Sequence, residues 1–236
     1  MKRTLLFTSV IVLLLPAVLL SSCSQDDTVS IDTYNTMYDH LSQVWAQSLA
    51  HADAETAFFG DSRVIGADWY TAFPDSKVVN LGVGGDRIRN LRTRMCQLYN
   101  LVSYGRLSCC FLAIGGNDCL SSSYDSAVFR DEYDALLTEL QALGLTVYVN
   151  TVAGVTADGT SVSQKKADQA NSRISEANTI IKELAALHGL SVIDIASEMD
   201  NEDGSLRTDY STPDGVHFSE AGYDCWYEVL RPYVPV

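Results

Sequence analysis

From about residue 55 to the carboxyl terminus, short, mostly apolar runs alternate with longer stretches whose apolar residues recur at helical spacing. The short runs are Ala57-Phe58-Phe59, Val78-Val79, Cys109 to Ile114, Thr146 to Val149 and Val192 to Ile195. Runs of this kind, with little polar alternation, fit strands covered on both faces. The periodic stretches are Ile88, Leu91, Met95, Leu98 and Val102; Phe129, Tyr133, Leu136, Leu140 and Leu143; Ile174, Ala177, Ile181, Leu184 and Leu187; and Tyr223, Trp226 and Leu230. Each lays an apolar stripe along one helix face, and Gly144 and Gly189 stand where two of them stop. Strands joined through helices pair in parallel by right-handed crossovers, so the expected fold is α/β, a parallel sheet with helices on both faces. A further amphipathic pattern, Ile31, Tyr34, Met37, Leu41, Val44 and Trp45, precedes the first strand. Residues 31–236 contain no internal repeat, low-complexity tract or linker and read as a single domain. Their longest segment without apolar period, Asn201 to Gly215, is a candidate functional loop.

The amino terminus has a different logic. Lys2 and Arg3 precede an uncharged apolar stretch from Leu5 to Leu20, which breaks at Leu20-Ser21-Ser22-Cys23. Small residues directly before a cysteine are what a lipoprotein signal peptidase accepts, and the Cys23 thiol would take the lipid. Residues 1–22 are therefore expected to be a lipoprotein export signal, with a plain signal peptide or a spanning helix as the competing readings. Residues 23–30 would form a polar tether. The protein would then be exported and lipid-anchored at Cys23 to a bacterial cell envelope, on its outer membrane or surface. Cys96, Cys109, Cys110, Cys119 and Cys225 remain; this odd number contains no Cys-x-x-Cys pair with a nearby histidine, so no metal site is expected. Cys109 and Cys110 sit in an apolar run and read as buried structural thiols.

Thirty acidic residues against sixteen basic ones give a net charge of −14. Such a chain repels phosphate backbones, which argues against nucleic acid as a partner.

The unusual residues fall where the expected strands end, which in an open α/β sheet is where ligands bind. They are Gly60-Asp61-Ser62-Arg63, Asn80-Leu81-Gly82-Val83-Gly84-Gly85-Asp86, Gly115-Gly116-Asn117-Asp118 and Asp214-Gly215-Val216-His217. Ser62 at a strand-to-helix turn is a candidate nucleophile, and a serine needs a base within hydrogen-bond reach. His217 can serve, with Asp214 close enough to fix its tautomer. The N–H groups of Ser62 and Gly85 and the Asn117 amide are candidate oxyanion donors. Taken singly, Ser62 is an ordinary helix cap, and Asp214-Gly215 and Gly115-Gly116-Asn117-Asp118 are ordinary turns. The glycine-rich block lacks the glycine a dinucleotide fingerprint needs, because Arg87 stands there, and no Lys-Ser/Thr follows for a P-loop. Asp61, Asp86 and Asp118 read as turn-formers and supporting acceptors. His40 and His51 fall on the first helix, and His188 precedes a helix-stopping glycine.

These four blocks in this order resemble the SGNH hydrolases, the GDSL esterase/lipase family, over about residues 55–235. Phe218-Ser219-Glu220-Ala221-Gly222-Tyr223 continues the likeness. The resemblance implies a three-layer flavodoxin-like fold with a five-stranded parallel sheet of order 2-1-3-4-5. It also implies ester hydrolysis without metal or organic cofactor. It assigns Ser62 as nucleophile, Asp214 and His217 as the base pair, and Ser62, Gly85 and Asn117 as the oxyanion hole. The expected substrate is a small-molecule or polysaccharide ester, favoured as an O-acetyl group on carbohydrate. The alternatives are a lysophospholipase or acyl-thioesterase using loops such as 153–167 or 201–215 to hold a long chain, and a non-catalytic glycan-binding lipoprotein.

Overall fold

All five apolar runs form parallel strands: β1 (Thr56–Gly60), β2 (Val78–Gly82), β3 (Cys109–Ala113), β4 (Thr146–Asn150) and β5 (Ser191–Ile193). The sheet order is β2-β1-β3-β4-β5, the flavodoxin-like order expected. The computed structural model describes residues 51–157 and 162–236, together with Ser42, Ala46 and Ala50. The export signal, the tether, Cys23, His40 and the apolar positions of the first helical pattern lie outside the described residues. Ser42, Ala46 and Ala50 are helical and exposed, and His51 lies in the turn just after them, its Nε2 2.9 Å from the Tyr70 hydroxyl.

The pleat explains why the strands are apolar on both sides. Ala57 and Phe59 of β1, Val79 and Leu81 of β2, Cys110 and Leu112 of β3 and Val147 and Val149 of β4 face one layer. That layer is formed by α3 (Ile88–Thr93), α4 (Cys96–Ser103), α5 (Gly116–Leu120), α6 (Ser126–Gln141) and α7 (Gln164–Leu187). Phe58, Val78, Cys109 and Phe111 point the other way, with Tyr148 beside them. They meet α1 (Ser62–Ile65), α2 (Trp69–Ala72), α8 (Ala196–Met199) and α9 (Glu220–Leu230). On this second face, register pairs Phe58 with Phe111 and Phe111 with Tyr148. Their rings stack at 5.1 and 5.0 Å, and Trp69 closes the row 3.8 Å above Phe58.

Two helices differ from the sequence expectation. The single helix expected over residues 88–102 is two, α3 and α4, broken at Arg94 and Met95. At the break the Arg94 backbone leaves helical geometry (φ −112°, ψ 18°) and its side chain is buried. In contrast, α7 starts ten residues before the first apolar position read for it, because its first turns pack with Ala167 and Ala170, too small to register as a stripe. All five cysteines beyond residue 50 are free thiols, and Cys109 and Cys110 are buried as expected.

One face of α7 does more than pack. Asn171 and Asn178, two helical turns apart, each exchange two hydrogen bonds with the segment after β4. Asn178 takes the Val152 N–H and donates to its C=O (2.7 and 2.8 Å); Asn171 does the same to Val155 (both 2.9 Å). An irregular segment with no strand beside it is thereby hydrogen-bonded like one.

Truncating the central ring of the aromatic row should be costly. Phe111→Ala is expected to lower unfolding free energy by roughly 3–5 kcal/mol in urea titrations. A loss below about 1 kcal/mol would mean that the row does not carry the second core.

Candidate active site

Because β1 lies between β2 and β3, the segments leaving these three strands converge at one edge; Gly60 pairs with both Gly82 and Ala113. Gly60 is required there: a Cβ would lie 2.1 Å from the Ala113 carbonyl oxygen. The chain then turns through extended Asp61 into α1, whose first residue is Ser62. Asp61, not Ser62, caps the helix, accepting the Arg63 N–H at 3.0 Å. This leaves the Ser62 hydroxyl free for other work. With only one turn, α1 has a small dipole, so the local donor of interest is the Ser62 N–H, which has no partner among the described residues.

His217 arrives from the far end of the chain on a loop tied at both sides. Ser211 and Phe218 form an antiparallel bridge, and the Thr212 N–H donates to the His217 C=O at 2.9 Å. Asp214 sits at its centre. Its Oδ1 accepts the N–H groups of Val216 (2.8 Å) and His217 (2.9 Å) and the Thr212 hydroxyl (2.9 Å). Its Oδ2 lies 2.5 Å from His217 Nδ1. Burial pushes the Asp214 carboxyl up, but the ring, backbone and hydroxyl donors outweigh it and hold the group well below the usual carboxylate range. A carboxylate can only accept, so Nδ1 carries the proton and Nε2 is left as acceptor. Nε2 lies 2.9 Å from Ser62 Oγ. Asp214 and His217, three residues apart, and Ser62, 155 residues before His217, thus form one chain, carboxylate to imidazole to hydroxyl, with His217 and Asp214 half-exposed.

The other two predicted residues lie on the neighbouring segments. Gly85 follows β2, is exposed, and has φ +79°, a conformation that favours glycine. Its N–H has no partner among the described residues. Asn117 lies in α5 after β3, and its Nδ2 donates one proton to the Asp86 C=O at 2.9 Å, leaving the other proton of the amide. Asp118 accepts the Ile88 N–H at 3.3 Å, and His188, away from this edge, lies between Asp134 and Gln141.

Sequence reading gave no role to Arg63, although it directly follows Ser62. Its guanidinium is buried and donates to the C=O groups of Val216 (3.1 and 2.9 Å), Ala153 (2.7 Å) and Gly154 (2.8 Å). It also lies 4.6 Å from the Phe218 ring centroid. The residue beside Ser62 therefore holds the loop of His217 and the segment after β4 together. That segment continues the network: the Gly154 N–H meets both Asp200 carboxylate oxygens at 2.9 Å, and the Thr156 N–H donates to the Gly215 C=O at 2.9 Å. An arginine directly after a nucleophile candidate was the one available signal; Asp200 and the two asparagines of α7 had none.

One cavity lies apart from the triad side chains and is not lined by Ser62, His217 or Asp214. It has a volume of about 760 Å³ and lies between Val155–Ala157, α7 and residues 202–205, with Gln164, Asp168, Asn171 and Glu202 in its wall.

Residues 34–225 match the GDSL-like Lipase/Acylhydrolase family, and the chain belongs to that family, whose members are ester hydrolases. The match takes in most of the helical pattern before β1 that the motif blocks left outside. No curated protein matches the chain. Among solved structures, a GDSL-like lipase from Bacteroides thetaiotaomicron superposes with a TM-score of 0.66 at 18% identity, covering 83% of this chain and 95% of that one. The lipase/acylhydrolase from Enterococcus faecalis gives 0.61 at 21% identity, over 77% and 97% of the two chains. A variant of an acetyl xylan esterase from Geobacillus stearothermophilus gives 0.58 at 18% identity, over 75% and 92%. At these identities the likeness is one of fold.

Burial also sets a pH dependence. It pushes both Asp118 and Asp200 up to about 7, against the N–H donors that each carboxylate accepts and the nearby Arg87 and Arg63. Above their unfolded pKa, near 3.8, the folded state holds protons that the unfolded state has released, so stability falls as pH rises toward 7. Thermal unfolding should therefore occur at lower temperature at pH 8 than at pH 5, and Asp200→Asn should flatten this slope. An unchanged slope in that variant would remove Asp200 from the account.

Proposed function

We propose that the chain is a serine esterase in which Ser62 is the nucleophile, His217 the general base and Asp214 its orienting partner. The observation that carries this reading is the unbroken hydrogen-bonded chain from Asp214 through His217 to Ser62 Oγ. Ser62 Oγ attacks the ester carbonyl carbon as its proton passes to His217 Nε2. The carbonyl oxygen, now negative, is met by the N–H groups of Ser62 and Gly85 and the remaining Asn117 amide proton. Each such donor contributes about 3–4 kcal/mol in the transition state. Collapse expels the alcohol, which takes the proton from His217, and leaves an acyl-serine. Water repeats the sequence, releasing the acid and restoring Ser62.

For substrate we favour a short acyl group, above all acetyl, on a carbohydrate. The cavity beside α7 is walled by amides, hydroxyls and carboxylates, which suit a sugar rather than a fatty chain, and Thr156 in its wall is bonded to the loop of His217. Two of the similar structures, one of them from Geobacillus stearothermophilus, are acetyl xylan esterases. A fluorophosphonate probe should label the mature wild-type protein and not Ser62→Ala. Hydrolysis should be fastest with acetyl esters, acetylated xylan and pectin included, and fall steeply toward palmitoyl. Failure to label the wild type would overturn the nucleophile, and a preference for palmitoyl would overturn the substrate.

We propose also that the protein is exported and anchored by lipid on Cys23. Support comes from Lys2 and Arg3, the apolar stretch from Leu5 to Leu20 and the Ser21-Ser22-Cys23 junction. In a bacterial host the full chain should partition with membranes, and Cys23→Ala should move to the soluble fraction once its signal is processed. Equal membrane partition of the two would refute the anchor.

A further inference from the structure

A second buried guanidinium lies at the same edge of the sheet, and the triad does not use it. Arg94 stands where the expected long helix breaks into α3 and α4, and the break lets its side chain turn inward. Nε donates to Asp86 Oδ2 at 2.6 Å, Nη1 to the Leu81 C=O at 2.8 Å and to Gln97 Oε1 at 2.7 Å, and Nη2 to the Gly60 C=O at 2.7 Å. Its Cζ lies 4.6 Å from the centroid of the Phe59 ring. Arg94 and Asp86 are both buried, at 5% and 6% exposure, so neither has water to replace a lost partner.

What these partners have in common is their position. Gly60 is the last residue of β1, two before Ser62. Leu81 is in β2, which leads into the glycine block. Asp86 directly follows Gly85, and its own C=O receives the Asn117 amide at 2.9 Å. One planar cation is thus bonded to the strand that delivers Ser62 and to the residue that adjoins both Gly85 and Asn117. Within the segment Val83–Asp86, backbone-to-backbone bonds run from the Val83 N–H to the Gly60 C=O and from the Asp86 N–H to the Val83 C=O. Gly84 and Gly85 have open space where a side chain would be, so packing does not hold them.

We propose that Arg94 is a positioning residue for the oxyanion hole, fixing the Gly85 and Asn117 donors relative to Ser62 through the carboxylate and carbonyl of Asp86. This inference rests on the serine esterase reading. A displaced donor weakens the transition state much more than the ground state, so the signature is a fall in kcat with little change in KM. A purely structural role would lower stability and leave the turnover of folded protein unaltered.

The variant is Arg94→Lys, which keeps the charge but cannot reach Asp86, Leu81 and Gly60 together. Once folding is checked by circular dichroism, kcat on p-nitrophenyl acetate should fall on the order of 100-fold, as expected for a misplacement of about 1 Å. KM should stay within about twofold. The inhibition constant of phenylboronic acid, whose serine adduct is tetrahedral, should rise in parallel with the loss in kcat. Asp86→Asn should move kcat and the inhibition constant in the same directions, and it decides the matter if Arg94→Lys does not fold. Folded variants with wild-type turnover and boronate affinity would overturn the proposal and leave the esterase reading intact. A wild-type protein that neither hydrolyses esters nor reacts with a fluorophosphonate would overturn the reading itself.

Discussion

The site depends on β1 having strands on both sides and helices leaving in opposite directions. In the order β2-β1-β3-β4-β5, the chain from β1 crosses to β2 at one edge and then returns past β1 to β3. The segments after β1, β2 and β3 therefore emerge side by side without covering one another, and a crevice opens there. Ser62, Gly85 and Asn117 each follow one of these strands. The close approach is fixed by atoms: with Ala113 oxygen only 2.1 Å from where a Gly60 Cβ would be, any side chain at Gly60 would push apart the strands that set the spacing of the site.

An edge of this kind creates a second problem, which the protein meets with long polar side chains. Segments beyond the strand ends lose the ladder, and each C=O and N–H there needs another partner. Arg63 supplies donors to Val216, Ala153 and Gly154, Arg94 to Leu81 and Gly60, and Asn171 and Asn178 complete Val155 and Val152. Guanidinium suits this because its donors diverge in one plane and can satisfy carbonyls of several segments at once. Burying the charge is costly, and the many bonds at each guanidinium offset that cost. Rigidity is the result. Loops that would otherwise sample many positions are tied to the strand ends that carry the candidate site.

The frame was legible because it is written in periodicity. Strand runs such as Cys109 to Ile114 and stripes such as Phe129, Tyr133 and Leu136 state their layers directly, and the sheet order followed from the family likeness of the four motif blocks. The candidate triad was legible for a different reason: Ser62, Asp214 and His217 sit in short turn-rich blocks, and the structure brings their side chains together. What stayed hidden was contact over long sequence distance. Nothing local marks Arg63 as reaching Val216, 153 residues away, or Arg94 as turning inward. Alanine at 167 and 170 is silent in an apolar count, so the start of α7 was placed too late. The capping role of Asp61 was also missed, since Ser and Asp are equally good caps and only the backbone decides between them.

On the esterase reading, the electrostatics of Asp214, His217 and Ser62 suit an acidic protein that runs this chemistry at its surface. With a net charge of −14, a loosely held carboxylate near Ser62 would oppose the build-up of an oxyanion. Asp214 avoids that conflict because four donors already face it, three on Oδ1 and the His217 ring on Oδ2. Its charge is held within its own loop and faces His217 Nδ1, the ring nitrogen away from Ser62, where on the esterase reading it favours the protonated ring. The donors proposed for the oxyanion, the N–H groups of Ser62 and Gly85 and the Asn117 amide, are neutral and bring no counter-charge to neutralise and no proton to lose. His217 is half-exposed, and space is open around Gly84 and Gly85. On the esterase reading, such a crevice admits an ester carried on a large hydrophilic alcohol, because only the acyl group and carbonyl must enter it.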